Sequence, residues 1–175
     1  RAELEEGGIH FTSETDTEVV VHLITRELKR GLAPLDAAAK AIAFVEGAFA
    51  LAIVFAGHDG LVVGARRGSP LAIGYGDGEM FLGSDAVALA PLTRRIAYLE
   101  EGDVVALTHD SVIVRDALGK TVNRVVQEVA QLGDKLGKGN FPHYMLKEIY
   151  EQPTVIGDTL LSYLHYVTGR VELPR

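Results

Sequence analysis

The 175-residue chain contains no cysteine. Disulfides, thiolate metal sites and a cysteine nucleophile are therefore excluded from this stretch. It also lacks a long apolar run: Ala48 to Ala56, closed by Gly47 and Gly57, falls far short of the roughly 20 residues that cross a bilayer, and reads as a buried strand. Basic residues are scarce, with 17 Lys and Arg against 24 Asp and Glu, a net charge of −7. Basic residues gather only in isolated pairs such as Arg66-Arg67 and Arg94-Arg95, which disfavours a nucleic-acid partner. No basic segment followed by an apolar one opens the chain, so nothing marks it for secretion, and a cytoplasmic setting is the expectation. What is present is ordinary for a packed protein: 47% hydrophobic and 23% charged residues, enough for one well-cored domain or one domain with a piece of a second.

Arg1 to Glu6 resembles the end of a helix stopped by Gly7-Gly8, and Ile9 to Phe11 could form a short strand. Ser13 to Asp16 gathers the polar side chains that begin helices, and Thr15 with Glu18 has capping-box spacing. Apolar residues at helical spacing then predict a helix from Val19 to Leu28 ended by Gly31. A second helix starts at Pro34 and runs through Leu35 to Val45. From Ala50 the period changes to strands: Ala50–Phe55, Leu61–Ala65, Leu71–Tyr75, Glu79–Leu82, Ile96–Leu99, Val104–Thr108 and Ser111–Val114, with a short helical turn capped by Asp85 in between. The short connections predict consecutive antiparallel hairpins, including one turn at Glu101-Gly102-Asp103. A last strand is expected over Val122 to Val129. Gly133 to Asn140 is the linker candidate. Beyond it, a helix from His143 to Gln152 is expected to stop at Pro153, and another to run from Asp158 towards Tyr166.

Glycines 74, 76 and 78 sit between two strands rather than between a strand and a helix, so a hairpin turn is preferred to a phosphate loop. The six histidines, His10, His22, His58, His109, His143 and His165, never take metal-binding helix spacing with a carboxylate. Gly68-Ser69-Pro70 reads as a loop between strands. Asp16 heads a helix, where the free N–H groups and the helix dipole favour an anion. Two readings stand: a cap that fixes the helix start, or a ligand group offered to an ammonium or hydroxyl. Met145, Ile149 and Gln152 share one helical face, which suits either docking or an ordinary core.

Four blocks carry a resemblance: Ser13-Glu14-Thr15-Asp16-Thr17-Glu18-Val19; Arg67-Gly68-Ser69-Pro70-Leu71 with Ile73-Gly74; Leu99-Glu100-Glu101-Gly102-Asp103; and His143-Tyr144-Met145-Leu146-Lys147-Glu148-Ile149-Tyr150-Glu151-Gln152-Pro153. The first three are similar to class II glutamine amidotransferases in general. The Lys147 to Pro153 block narrows the resemblance to the glutamine–fructose-6-phosphate aminotransferase family, over nearly the whole chain and in the same order.

The resemblance implies an α+β fold, an N-terminal-nucleophile hydrolase αββα sandwich with antiparallel sheets, incomplete here and followed by the first helices of an α/β sugar-isomerase domain. It implies the C-terminal part of a glutaminase domain over 1–132, a linker over 133–142 and the start of the isomerase over 143–175. The family hydrolyses glutamine and passes ammonia to fructose 6-phosphate, giving glucosamine 6-phosphate. Its nucleophile is an N-terminal cysteine, and its oxyanion hole and most of its glutamine-binding groups precede position 1 in the family's order. No catalytic residue, metal ligand or cofactor site is therefore expected in this chain. The one substrate-binding residue that carries over is Asp16, as partner of the glutamine α-ammonium. Expected partners are glutamine and fructose 6-phosphate, with no nucleic acid or membrane, and a homodimer formed through the isomerase part. The leading expectation is an interior portion of the enzyme, inactive alone and prone to self-association through exposed sheet edges. The alternatives are a shortened, non-catalytic glutamine-sensing or assembly module, or another class II amidotransferase.

Overall fold

The computed structural model describes residues 1–129, 137–164 and 170–171, apart from the side chain of Ser162. Two compact units divide the chain, Arg1–Leu132 and Gly133–Arg175.

The first unit begins with α1 (Ala2–Glu6). Gly8, at φ 83°, closes it: its N–H donates to the Glu5 carbonyl at 2.9 Å and that of Ile9 to the Leu4 carbonyl at 3.0 Å, the Schellman pattern that satisfies the last carbonyls of a helix. This turn overrides the short strand expected at Ile9 to Phe11, because it directs Ile9 and Phe11 onto the helical core instead of a sheet. Helix α2 (Thr17–Lys29) ends in the same manner, with Gly31 donating to Leu28 at 2.9 Å and Leu32 to Glu27 at 3.4 Å. Helix α3 (Pro34–Ile42) has proline in its first turn. It stops short of the expected Val45 because its end tightens into i→i+3 bonds from Phe44 to Ala41 and from Val45 to Ile42, and the Val45 carbonyl accepts from the Arg67 guanidinium. Glu27, fully buried, joins the two helices by reaching Lys40 at 2.9 Å and Arg30 at 2.7 Å. These cations hold its carboxyl below the usual carboxylate range against the opposing effect of burial.

Among the described residues nine strands follow: β1 (Phe49–Val54), β2 (Val62–Arg67), β3 (Ala72–Tyr75), β4 (Met80–Gly83), β5 (Arg95–Tyr98), β6 (Val104–Leu107), β7 (Val112–Arg115), β8 (Thr121–Val122) and β9 (Gln127–Glu128), with α4 (Ala86–Leu89) between β4 and β5. They form two antiparallel sheets, ordered β1-β2-β6-β7-β8 and β4-β3-β5-β9. Alternation along the strands sorts the core into layers. Val63, Ala65, Val104 and Ala106 face α2 and α3. Ile73, Val105, Leu107 and Val114 fill the space between the sheets, and Ala72 and Ile96 pack under α4. Gly64 lets the sheets approach closely, since a Cβ there would meet Val105 Cγ1 at 2.8 Å and Leu82 Cδ2 at 2.9 Å.

The hairpins β1–β2, β3–β4 and β6–β7 form as expected, and the Gly76–Gly78 segment is a turn closed by Gly76 N–H donating to Glu79 O at 2.9 Å. Two expectations are corrected. Glu101-Gly102-Asp103 is a crossing between sheets, because β5 and β6 lie in different ones. The strand expected over Val122 to Val129 is two short strands, β8 paired with β7 and β9 paired with β5. The reason is a buried ion pair: Asp103 accepts from Arg124 Nε at 2.8 Å, from Arg124 Nη2 at 2.7 Å and from the Glu100 N–H at 2.7 Å. Drawing Arg124 inward breaks the extended run at the point where the chain changes sheets. Nearby, Glu101 pairs with Arg66 at 3.0 Å and accepts from the Gly68 N–H at 2.9 Å, fastening the β5–β6 crossing to the β2–β3 link.

In the second unit, α5 (Tyr144–Tyr163) runs through Pro153. This replaces the break expected there and merges the two helices predicted on either side; the Tyr166 end of the second, and positions 133–136 of the predicted linker, lie outside the described residues. Proline removes one donor, the partner of the Ile149 carbonyl, and on a helix as exposed as this one water can take its place. Lys147 Nζ donates to the Gly137 carbonyl at 2.8 Å. The rings of Phe141 and Tyr150 lie 5.5 Å apart.

Candidate functional site

Asp16 occupies the position preceding α2, but its backbone is already helical (φ −67°, ψ −30°) and its side chain makes no capping bond. The cap reading is thereby overturned. A capping side chain folds back onto the N–H groups of the first turn from an extended residue, a backbone that Asp16 does not adopt. Its backbone carbonyl still accepts from the Val19 N–H at 3.1 Å. The exposed carboxylate is left without a partner among the described residues.

That carboxylate borders a cleft of about 270 Å³, whose walls include Val20, Leu23 and Phe49 and whose rim carries Phe44 and Glu46. The cleft is mainly apolar, with its charge supplied by two carboxylates, Asp16 and Glu46. An anion at the rim of an apolar wall suits a ligand with an ammonium at one end and a methylene stem behind it. A larger groove of about 930 Å³ adjoins it between α2 and β1. Among the described residues that line it, His58 is the only ionisable one, so the groove offers contact area rather than chemistry.

The group that fastens the segment before α2 is Glu18, whose spacing from Thr15 matches a capping box. The box does not form. Glu18 accepts from the N–H groups of Thr12 and Ser13, both at 2.7 Å, from the Thr12 hydroxyl at 3.0 Å and from the Ser13 hydroxyl. These bonds, led by that from the Ser13 hydroxyl and then the Thr12 N–H, pull its carboxyl down from 4.5 to about 2. Thr15 is tied to Ser13 instead, hydroxyl to hydroxyl at 2.7 Å. The signal that could have revealed this was the adjacent hydroxyls at 12 and 13, five and six residues before a glutamate rather than three.

Among the described residues no cluster of three or more His, Cys, Asp or Glu could hold a metal ion. No described helix is long and apolar enough to cross a membrane.

The glutamine amidotransferase domain family matches residues 1–91. The chain is 54% identical over 169 residues to a glutamine–fructose-6-phosphate aminotransferase (isomerizing) of Mesorhizobium japonicum, covering 97% of this chain and 28% of that protein. It is 53% identical over 174 residues to the protein of the same name in Zymomonas mobilis, covering 99% of this chain and 29% of the relative, and 52% identical over 171 residues to that of Brucella abortus, covering 98% and 28%. The chain thus spans less than a third of the length of these relatives. Domain match and relatives agree: the chain belongs to the glutamine amidotransferase domain family.

Proposed function

We propose that this chain serves a glutamine–fructose-6-phosphate aminotransferase, contributing part of the glutaminase domain over 1–132, a linker over 133–142 and the beginning of the sugar-isomerase domain over 143–175. The observation that carries the reading is the unpartnered Asp16 carboxylate at the rim of an apolar cleft. In this reading Asp16 pairs with the α-ammonium of glutamine, a charge-assisted contact that fixes the amino-acid end of the substrate. The side-chain amide is then hydrolysed by a thiol from outside these 175 residues, since they contain no cysteine. The helices and paired antiparallel sheets of the first unit are taken as an incomplete N-terminal-nucleophile hydrolase sandwich. The ammonia released aminates fructose 6-phosphate, with glutamate and glucosamine 6-phosphate as products, and the protein dimerises through its isomerase part.

The test is stoichiometry in the full-length protein. Incubation with glutamine and fructose 6-phosphate is expected to yield glutamate and glucosamine 6-phosphate in equal amounts. Glutamate without amino sugar would redirect the reading to another class II amidotransferase. Glutamine bound without turnover would favour a non-catalytic sensor.

A further inference from the structure

We propose that Glu18 is a positioning residue for glutamine: it anchors the Thr12–Ser13 segment onto α2, holds the turn that leads into Asp16, and so keeps the Asp16 carboxylate free for the ligand. The inference rests on the reading of Asp16 given above.

The first turn of a helix presents unsatisfied N–H groups and a positive dipole end that attract one nearby anion. The Asp16 side chain does not cap those groups, and Glu18 accepts instead from the segment that precedes the helix. A carboxylate has about four acceptor sites, and Glu18 fills as many with the N–H and hydroxyl groups of Thr12 and Ser13. Ser13 passes the restraint on, since its hydroxyl bonds that of Thr15 at 2.7 Å and accepts from the Thr15 N–H at 3.3 Å. The chain of bonds ends one residue before Asp16. On its other flank Glu18 meets His22 Nε2 at 3.4 Å, and the His22 ring stands edge-on to Phe11 at 4.8 Å. Glu18 is 13% exposed, so these donors are its environment rather than bulk water.

Removing the Glu18 carboxylate leaves four donors without an acceptor and the turn before Asp16 without its anchor on α2. Asp16, no longer held by that turn, then relaxes to the extended backbone of an ordinary capping residue, from which its carboxylate reaches the first-turn N–H groups. Asp16 would then be spent on the helix, and glutamine would lose its ammonium partner with no atom of the reacting amide disturbed.

The experiment is steady-state glutaminase kinetics of the full-length protein with two substrates: glutamine, and 4-carbamoylbutanoate, which lacks the α-amino group. Glu18→Ala is expected to raise KM for glutamine by roughly fivefold to tenfold, the weight of one capping interaction. Its kcat should stay within about twofold, and KM for the analogue should not move. Glu18→Gln keeps one strong acceptor and should recover part of the loss. Ser13→Ala, which keeps the backbone donors, should shift KM in the same direction by less, and it serves in place of Glu18→Ala if that variant does not fold. An unchanged glutamine KM in these variants, or an equal rise for both substrates, overturns the inference. Asp16→Asn, measured alongside, separates the two levels. If it leaves glutamine KM unchanged, the reading of Asp16 falls and this inference with it; if it raises KM while the Glu18 variants do not, only this inference falls.

Discussion

Two regions of the first unit handle charge and edges in opposite ways. Where the chain crosses between the sheets, Asp103 is fully buried and takes three hydrogen bonds, two of them from Arg124. Along the margin formed by α2 and β1, Asp16 keeps its carboxylate free. There Phe44 is 63% exposed and Val54 78% exposed, and β1 is an edge strand. Ala50, Ala52 and Val54 lie on the inner face of their sheet, across from Arg66, Gly64 and Val62, yet are exposed. The crossing end has spent its polar groups on holding two sheets together, while the margin keeps groups in reserve. Structure is built at the first, and in the proposed reading glutamine is met at the second.

The contrast is broken most severely at Asp103. Asp103→Ala leaves the Arg124 guanidinium, 14% exposed, without its main partner. A loss of about 3–5 kcal/mol in unfolding free energy is expected, as for other broken buried pairs, measured by urea denaturation. A loss under about 1 kcal/mol would show that the crossing does not depend on the pair. At the margin, the 175-residue chain alone is expected to self-associate through the β1 edge and the adjoining apolar groove. Val54→Lys should raise the concentration at which association begins by roughly tenfold, since a lysine on an edge strand opposes pairing; light scattering across a dilution series reads this directly. A compact monomer at all concentrations would contradict it.

A finer test concerns pH. The Glu18 carboxyl titrates near 2 in the folded chain against 4.5 ordinarily. A depressed folded-state pKa stabilises the protein above the ordinary value, and the stabilisation fades as pH falls from about 4.5 towards 2. The difference in stability between the unsubstituted chain and Glu18→Gln should therefore be constant at neutral pH and shrink across that window. A difference that does not vary with pH would show that the hydrogen bonds to Glu18 do not favour its ionised form. The smallest effect is expected at Asp16: because its side chain caps nothing, Asp16→Asn should change stability by no more than about 0.5 kcal/mol. A larger loss would return it to a capping role.

Local features were the legible ones. Proline at the start of α3, glycine after α2, and β-branched runs broken by two- or three-residue turns located two helices and three hairpins, because each depends on neighbours in the chain. The crossings were not legible. Val122 to Val129 has strand composition throughout, and only the pull of Asp103 on Arg124, 21 residues apart in sequence, shows where it must break. Ile9 to Phe11 was read as a strand for its composition, though Gly8 had already committed those residues to a helix-closing turn. Pro153 was read as a stop because its missing donor was weighed without regard to exposure. Asp16 was singled out from its helix-head position and from the family resemblance. The anchoring by Glu18 escaped because the capping-box spacing to Thr15 offered a simpler partner than the hydroxyls at 12 and 13.

The central claim, that Asp16 recognises the ammonium of glutamine, is tested most directly by the preference of the full-length protein for glutamine over 4-carbamoylbutanoate, expressed as a ratio of kcat/KM values. A charge-assisted hydrogen bond is worth about 1.5–3 kcal/mol, so the unsubstituted protein should prefer glutamine by roughly 10- to 100-fold and Asp16→Asn should lose most of that preference. A preference that survives the substitution intact would contradict the account.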